Sequence, residues 1–575
     1  MRLSELSLGF REHYLDHAEI TAQLRAWADA FADFVRLESL GLTPEGREIW
    51  LLTIGHEPER VRPSVLIDAN MHAVELSGSS VALAIAEDVI ALHVGQEPRS
   101  CVPHHVRAIV KETLFHIVPR MSPDGAEAVR TTGRYVRSVP RDERPNRAHP
   151  RWVSEDIDGD GRALYMRKED PAGDFVEIAG MRGLLVPRTI DDAPPYYKLY
   201  PEGRIENFDG RSVPTPGFLD DSHPDLNRNF PFHFAPDPKQ IGAGTHPGSE
   251  PESRAIIEFV TRTPTIFAWL NLHTFGGVFI RPPGHLPDEK MNPFDLAVYR
   301  QVGQWAESIT GYPMVSGFAE FLYEADKPLH GALSEWAYED RGALAYVCEL
   351  WDLMAKIGVA RTARFVDRYV RLGREDWIAL ARWDTEHNQG RIFQPWKAVT
   401  HPQLGEVEVG GMDRRVGLFN PSYEELPAIC EAQSQLMMRV AALLPRVRVT
   451  ELVATPLRDN ATQITLTIEN HGYLPTYGMQ HAKSYPHCEP LWVDVASEGC
   501  TLEDAAASHQ TIGHLEGWGQ GLWSSSTALF FPHSSGSQHR RTLRYVVQGK
   551  GIVRFNIGSC RVGSLEAIVT VGESK

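Results

Sequence analysis

Residues 62–94 read RPSVLIDANMHAVELSGSSVALAIAEDVIALHV, and three kinds of structure follow one another in them. RPSVLIDAN (62–70) carries the short, nearly continuous apolar run of a strand buried on both faces. SGSSVALAIAEDVIALHV (77–94) is long enough, and rich enough in Ala, Leu and other apolar residues, to form a strong helix. A strand feeding straight into a helix is the repeating unit of α/β proteins. The alternation extends outward in both directions. EITAQLRAWADAFADFV (19–35) has helical periodicity, REIWLLTIG (47–55) follows the turn PEG as a strand, and ETLFHIVPRM (112–121) is a strand leading into a loop, SPDG. Downstream the rhythm resumes with PESRAIIEFV (251–260), FAWLNLHTF (267–275) and ALAYVCELW (343–351). EELPAICEAQSQLMMRVAALLP (424–445) reads as one long amphipathic helix that closes the domain. The expectation is an α/β domain built on a mixed sheet.

The remainder of the chain divides around that domain. With 575 residues it is too long for one ordinary unit, and a soft length prior gives roughly three or four. From about residue 141 to 221 the pattern dissolves into Pro, Asp, Gly and Arg, as in a long insertion on the surface; residues from Leu353 to about Gln389 are largely helical and Trp-rich. After Pro445 come short β-type runs, RVRVTELVAT, QITLTIEN, LWVDV, TLRYVVQG, GIVRFNIG and LEAIVTVG, spaced as in a separate small β-sandwich. The division expected is therefore 1–445, with the insertion inside it, and an all-β unit at 446–575. A net charge of -17, from 58 basic and 75 acidic residues, argues against nucleic acid as a partner. No apolar stretch reaches a membrane span, and the opening MRLSELSLGFREHYLDHAEI lacks the apolar core of a signal peptide. The six cysteines have no metal-ligand spacing and read as free thiols of a reducing compartment, so no membrane partner and a cytoplasmic location are expected.

Three short segments carry chemistry. In Asn70-Met71-His72-Ala73-Val74-Glu75 a His and a carboxylate sit three residues apart where a strand enters a helix, and both can point to one metal ion. Alone, that pattern is equally a surface turn; it needs a third ligand, and His273 at the end of FAWLNL is a candidate. Two His and one Glu leave a fourth position of a catalytic zinc open. In Asp225-Leu226-Asn227-Arg228-Asn229-Phe230, the Arg can grip a carboxylate with its fork and Asn227 with its amide, or the segment can be a solvated turn. Glu349, ending an apolar run, is either a strand-edge charge or a general base for water.

Taken in order, these segments resemble the zinc carboxypeptidases of the carboxypeptidase A type, over the approximate span 8–445. HAEI, LGLTPEGREIWLLTIG (40–55), SPDG (122–125) and PGSEPESRAI (247–256) are similar to further segments of that family, and the β-type tail is similar to that of its large bacterial members. The resemblance implies a mixed eight-stranded sheet flanked by helices, with zinc held by His72, Glu75 and His273 at the carboxyl ends of the strands. It implies that Asn227 and Arg228 bind the substrate's terminal carboxylate, that Arg137 polarises the scissile carbonyl, and that Glu349 is the general base. Tyr323 is nearest to the family's mobile tyrosine, and an ungapped count back from Glu349 puts Ser334 at the base of the specificity pocket. Val74 stands where the family often has Arg. The activity implied is a zinc-dependent hydrolysis of the C-terminal peptide bond of peptides with a free carboxylate. A deacylase, an amidase or a hydrolase of cell-wall-type peptides on the same scaffold, or an inactive binding protein, are the alternatives.

Two further segments raise expectations. Asp156, Asp158 and Asp160, in DIDGDG, resemble the start of a calcium loop, although Arg167 stands where a bidentate Glu is needed. Asn470-His471-Gly472-Tyr473-Leu474-Pro475-Thr476 is expected to dock the β unit on the rest.

Overall fold

The computed structural model describes residues 3–141, 148–217, 223–324, 327–520, 534 and 536–572. Its centre is a mixed eight-stranded sheet. In chain order the strands are β1 (Val35–Leu42), β2 (Glu48–Ile54), β3 (Ser64–Ala69), β4 (Leu114–Val118), β5 (Ile266–Thr274), β6 (Val278–Arg281), β7 (Met314–Ser316) and β8 (Leu344–Leu350). They lie in the spatial order β1-β2-β4-β3-β5-β8-β6-β7. The inner four, β4, β3, β5 and β8, run parallel; β2 and β6 flank them antiparallel, β1 pairs antiparallel with β2, and β7 parallel with β6. Every residue of β3, β4 and β5 is buried, as strands covered on both faces must be, which is why their sequences are apolar without alternation.

Helices cover both faces. Ser77–His93 is buried along all but its last residue, and Leu426–Ala441 packs against it, so the segment expected to close the domain does so. SPDG is not a loop: Pro123 occupies the first turn of the helix Pro123–Thr132, where its missing N–H costs nothing. The surface insertion also needs correction. Its ends, 142–147 and 218–221, lie outside the described residues, but between them it forms short strands. Tyr165–Glu169, Tyr197–Pro201, Phe175–Glu177 and Leu185–Pro187 join the hairpin Phe393–His401/Gly405–Met412 in a six-stranded sheet. Arg167 ties the two parts, with Nε 2.6 Å from Glu408 and its guanidinium over the rings of Tyr197 and Trp396.

The tail is all β. Val447–Pro456, Ala461–Asn470, Leu491–Leu502, His509–Gly513, Arg540–Ser559 and Gly563–Val571 form one antiparallel sheet around its own core, Ile464, Leu466, Val493, Val547, Phe555 and Ile557 among it. The two runs TLRYVVQG and GIVRFNIG are one twenty-residue strand, Arg540–Ser559, which pairs with Ala461–Asn470 in its first half and with Gly563–Val571 in its second. Tyr473 and Leu474 are buried in the core of the larger unit, in keeping with a docking role for their segment. A polar link is Arg561. Fully buried over the ring of Phe267, it donates from Nη1 to the Tyr477 carbonyl at 2.8 Å and from Nη2 to the Ile266 carbonyl at 3.4 Å. Arg561→Ala leaves a cavity and removes both of these bonds, and is expected to lower the unfolding free energy by about 3 kcal/mol. An unchanged urea midpoint in the variant would show that the docking owes little to this side chain.

Candidate metal centre

The first functional loop is shaped by Asn70, which ends β3 in a left-handed conformation (φ 54°) that Asn tolerates better than most residues. From there its Nδ2 donates to the carbonyls of His72, Ala73 and Glu75 at 2.8, 3.2 and 3.2 Å, which curls the loop. Asn420 clamps the same loop from the far end of the domain, accepting from Ser77 N and donating to the Val74 carbonyl. Ala73 N donates to the carbonyl of Arg137. Strand register supplies the other partners: in β5 and β8, His273 stands opposite Glu349. Loop and strand ends thus meet at the carboxyl edge of the parallel strands.

His72, Glu75 and His273 converge there, all nearly inaccessible. His72 Nδ1 is 2.8 Å from Glu75 Oε1, His273 Nδ1 is 3.0 Å from Glu75 Oε2, and the two Nδ1 atoms are 3.0 Å apart. What the rings do at their other nitrogens decides the meaning of that approach. Asp68 accepts from Trp269 Nε1 and from Asn271 Nδ2, so Asn271 must present its Oδ1 to His273 Nε2 at 2.7 Å. Nε2 therefore carries the proton and Nδ1 a lone pair. His72 Nε2 faces Asp225 Oδ1 at 3.3 Å. Burial opposes charge on Asp225, but Arg137, Arg228 and His72 overcome it and hold its carboxyl well below the usual range. Two imidazole lone pairs and a carboxylate pointing at one another in a dry site repel unless a cation lies among them. Burial likewise opposes charge on Glu75, and its pKa falls, to about 2, only with positive charge on the two rings, the place a cation takes when both are neutral. Nitrogen and oxygen donors of this number and type suit zinc.

Beside the three donors is a cavity of about 110 Å³ whose lining includes His72, Arg137, Asn227, Arg228, Tyr323, Ser334 and Glu349. Arg137 Nε reaches Asp225 Oδ2 at 3.0 Å, and its Nη1 lies 4.0 Å from Glu75. Arg228 is buried and donates to the Asn227 carbonyl, while Asn227 Oδ1 is taken by Leu333 N at 2.9 Å. Burial and the charge of Glu75 push the Glu349 carboxyl well above its usual range, against the pull of Arg137. Tyr323 is 55% exposed, at the rim. All nine residues singled out from the sequence lie at this centre: seven in the wall, Glu75 and His273 packed behind His72.

Several residues that shape the centre were given no role by the sequence. Asp225 stood inside a quoted segment, and Asn271 lies two residues before His273 on the same face of β5, the one signal that alternation offers. Asn271→Ala is expected to weaken zinc binding by about 10–100-fold, since it frees the ring it orients; competition with a chromophoric chelator measures this, and an unchanged affinity would deny Asn271 that role. The calcium expectation finds no support. Asp156 accepts from Gly159 N and Gly161 N, Asp160 from Arg162 N, and Asp158 pairs with Lys397 at 2.9 Å. Asp156 and Asp158 do approach Glu202 rather than Asp160, but both Glu202 oxygens are taken by amides of Ile157 and Leu164. Among the described residues no helix is long and apolar enough to cross a membrane.

Residues 446–570 match a domain family of unknown function. The chain is 30% identical to mouse carboxypeptidase M over 126 residues, 21% of this chain and 26% of that protein, and 31% identical to human carboxypeptidase D over 121 residues, 20% of this chain and 8% of that one. It thus spans about a quarter or less of the length of these relatives. The crystal structure of the carboxypeptidase A from Helicoverpa armigera is similar at 18% identity, covering 64% of this chain and 72% of that one with a TM-score of 0.38. The description of the zinc carboxypeptidase family fits residues 20–163 and 210–366, more than half of the sequence and the whole of the centre, so the chain belongs to that family.

Proposed function

We propose that this protein is a zinc-dependent carboxypeptidase that removes the last residue of peptides bearing a free C-terminal carboxylate. The observation that carries the reading is the convergence of His72 Nδ1, His273 Nδ1 and the Glu75 carboxylate at 2.8–3.0 Å, with the other ring nitrogens facing Asp225 Oδ1 and Asn271 Oδ1. His72, Glu75 and His273 would hold the zinc. When bound, zinc supplies Lewis-acid chemistry, polarising a carbonyl and making water acidic near pH 7. Glu349 takes the proton of the attacking water on its carboxylate and hands it to the nitrogen of the departing amino acid. Arg137, ordered by Asp225, offsets the negative charge that grows on the scissile carbonyl oxygen. Arg228 and the Nδ2 of Asn227 receive the terminal carboxylate, so that cleavage is confined to the last bond. Ser334 on the wall and Tyr323 at the rim meet the terminal side chain. The cavity, about 110 Å³ against the roughly 300–1,000 Å³ of ordinary ligand pockets, has room for little beyond one residue.

The test is hydrolysis of a panel of peptides that differ at the last residue, each with a free or an amidated C-terminus, by protein of known zinc content. Release of single residues from free peptides alone supports the reading. Equal cleavage of amidated peptides points to an amidase or deacylase, and zinc-loaded protein that cleaves neither set refutes it.

A further inference from the structure

One cluster of ligating side chains is not used by this chemistry. Glu335 and Glu339 stand four residues apart on the helix Leu333–Glu339, so both carboxylates leave the same face. Two like charges in that relation repel, and both are mostly enclosed, at 12% and 19% side-chain exposure. Against them lies His285, from the loop after β6. Its Nδ1 is 3.0 Å from Glu335 Oε2, while Glu335 Oε1 accepts from Gly284 N at 2.7 Å. With Nδ1–H given to Glu335, the lone pair of His285 is on Nε2, which is 3.9 Å from Glu339 Oε1. That gap is too long for a hydrogen bond. It is close to the separation of two donors on one ion, because bonds of about 2.0–2.2 Å put neighbouring donors roughly 3–4 Å apart. The ring of His233 lies 5.5 Å from that of His285 and 4.3 Å from that of His330, whose Nδ1 donates to the His233 carbonyl. His233 itself is held at φ 51°, in the left-handed region. Burial, then the neighbouring His330 and His285, depress its affinity for a proton.

We propose that His285 Nε2 and Glu339, with Glu335 orienting the His285 ring from its Nδ1 side and His233 as a further donor, form a second divalent-metal site of the zinc class beside the catalytic cavity. One ligand atom from each of the first three lies within 4.8 Å of the others. Imidazole with carboxylates selects a borderline ion such as zinc over calcium or magnesium. Glu335 also lines the cavity of Ser334 and Arg228, so an ion here neutralises carboxylates on the wall that meets the terminal side chain. A proton on His285 is the competing occupant: shared between Glu335 and Glu339, it makes an ion pair with no metal at all.

Elemental analysis after equilibration with zinc at pH 7.5 and removal of free metal separates these states, with the full chain compared in four forms. We expect about two zinc ions per wild-type chain, and one each in His285→Ala and His273→Ala. Glu339→Gln, a mild change at a partly exposed position, is expected to retain two ions at saturating zinc with at least tenfold weaker binding of one. A single ion retained in His273→Ala and lost in His285→Ala would support this site while sinking the assignment of His273. One ion per wild-type chain, kept in His285→Ala and lost in His273→Ala, overturns the second site. So do two ions that survive both the His285 and the Glu339 changes with unaltered affinity.

Discussion

Replacing Glu349 with Gln is expected to leave zinc content unchanged and to lower kcat by roughly 10²–10⁴, the contribution of a positioned general base. The substitution preserves shape and removes only the ability to hold a proton. Glu349 is not one of the three converging donors, and Arg137 keeps its 3.0 Å bond to Asp225, so neither metal retention nor the arginine depends on it. Single-turnover hydrolysis of one good peptide, with zinc quantified in the same sample, gives both numbers. Turnover within tenfold of wild type would assign the proton transfer to another group.

The second large effect concerns the substrate's carboxylate. Arg228 is 5% exposed, and Asp225 is already engaged by Arg137 and His72, so its guanidinium has charge to spare for a ligand. Arg228→Ala is expected to lower kcat/KM by about 30–4,000-fold, corresponding to the roughly 2–5 kcal/mol lost when one side of an enclosed charged pair is cut away. Amidating the substrate should cost the wild-type protein a similar factor and cost the variant almost nothing more, because the two changes delete one interaction. Additive losses in that cycle would mean that Arg228 and the carboxylate do not meet, and would favour an amidase.

The sequence was informative where one residue type has few physical uses. Buried parallel strands must be apolar throughout, so β3, β5 and β8 could be read within a few residues of their ends, and His72, Glu75, His273 and Glu349 fell at those ends. It was uninformative where structure depends on a remote partner. Strands of three to five residues alternate weakly among Pro and Gly and acquire their state by pairing: Phe175–Glu177 with Leu185–Pro187 and Tyr197, and Tyr165–Glu169 with Tyr197–Pro201 and with a hairpin more than two hundred residues away. The same holds for supporting polar residues. An Asn in an apolar strand gives no hint that Asp68 fixes its amide and that His273 leans on its oxygen. Nor could the cluster of His285, Glu335 and Glu339 be foreseen, since a loop and a helix fifty residues apart supply it.

Arg561 joins the all-β unit to the carbonyl of Ile266, the first residue of β5, whereas His273 is near the last, about 23 Å further along an extended strand. The backbone at Gly563 likewise closes on Val61, just ahead of β3. The appended unit is thus a plinth rather than a portal. A bead, dye or second enzyme coupled to its outer face would leave the mouth looking away from the support, and catalysis on an immobilised preparation should proceed as freely as in solution.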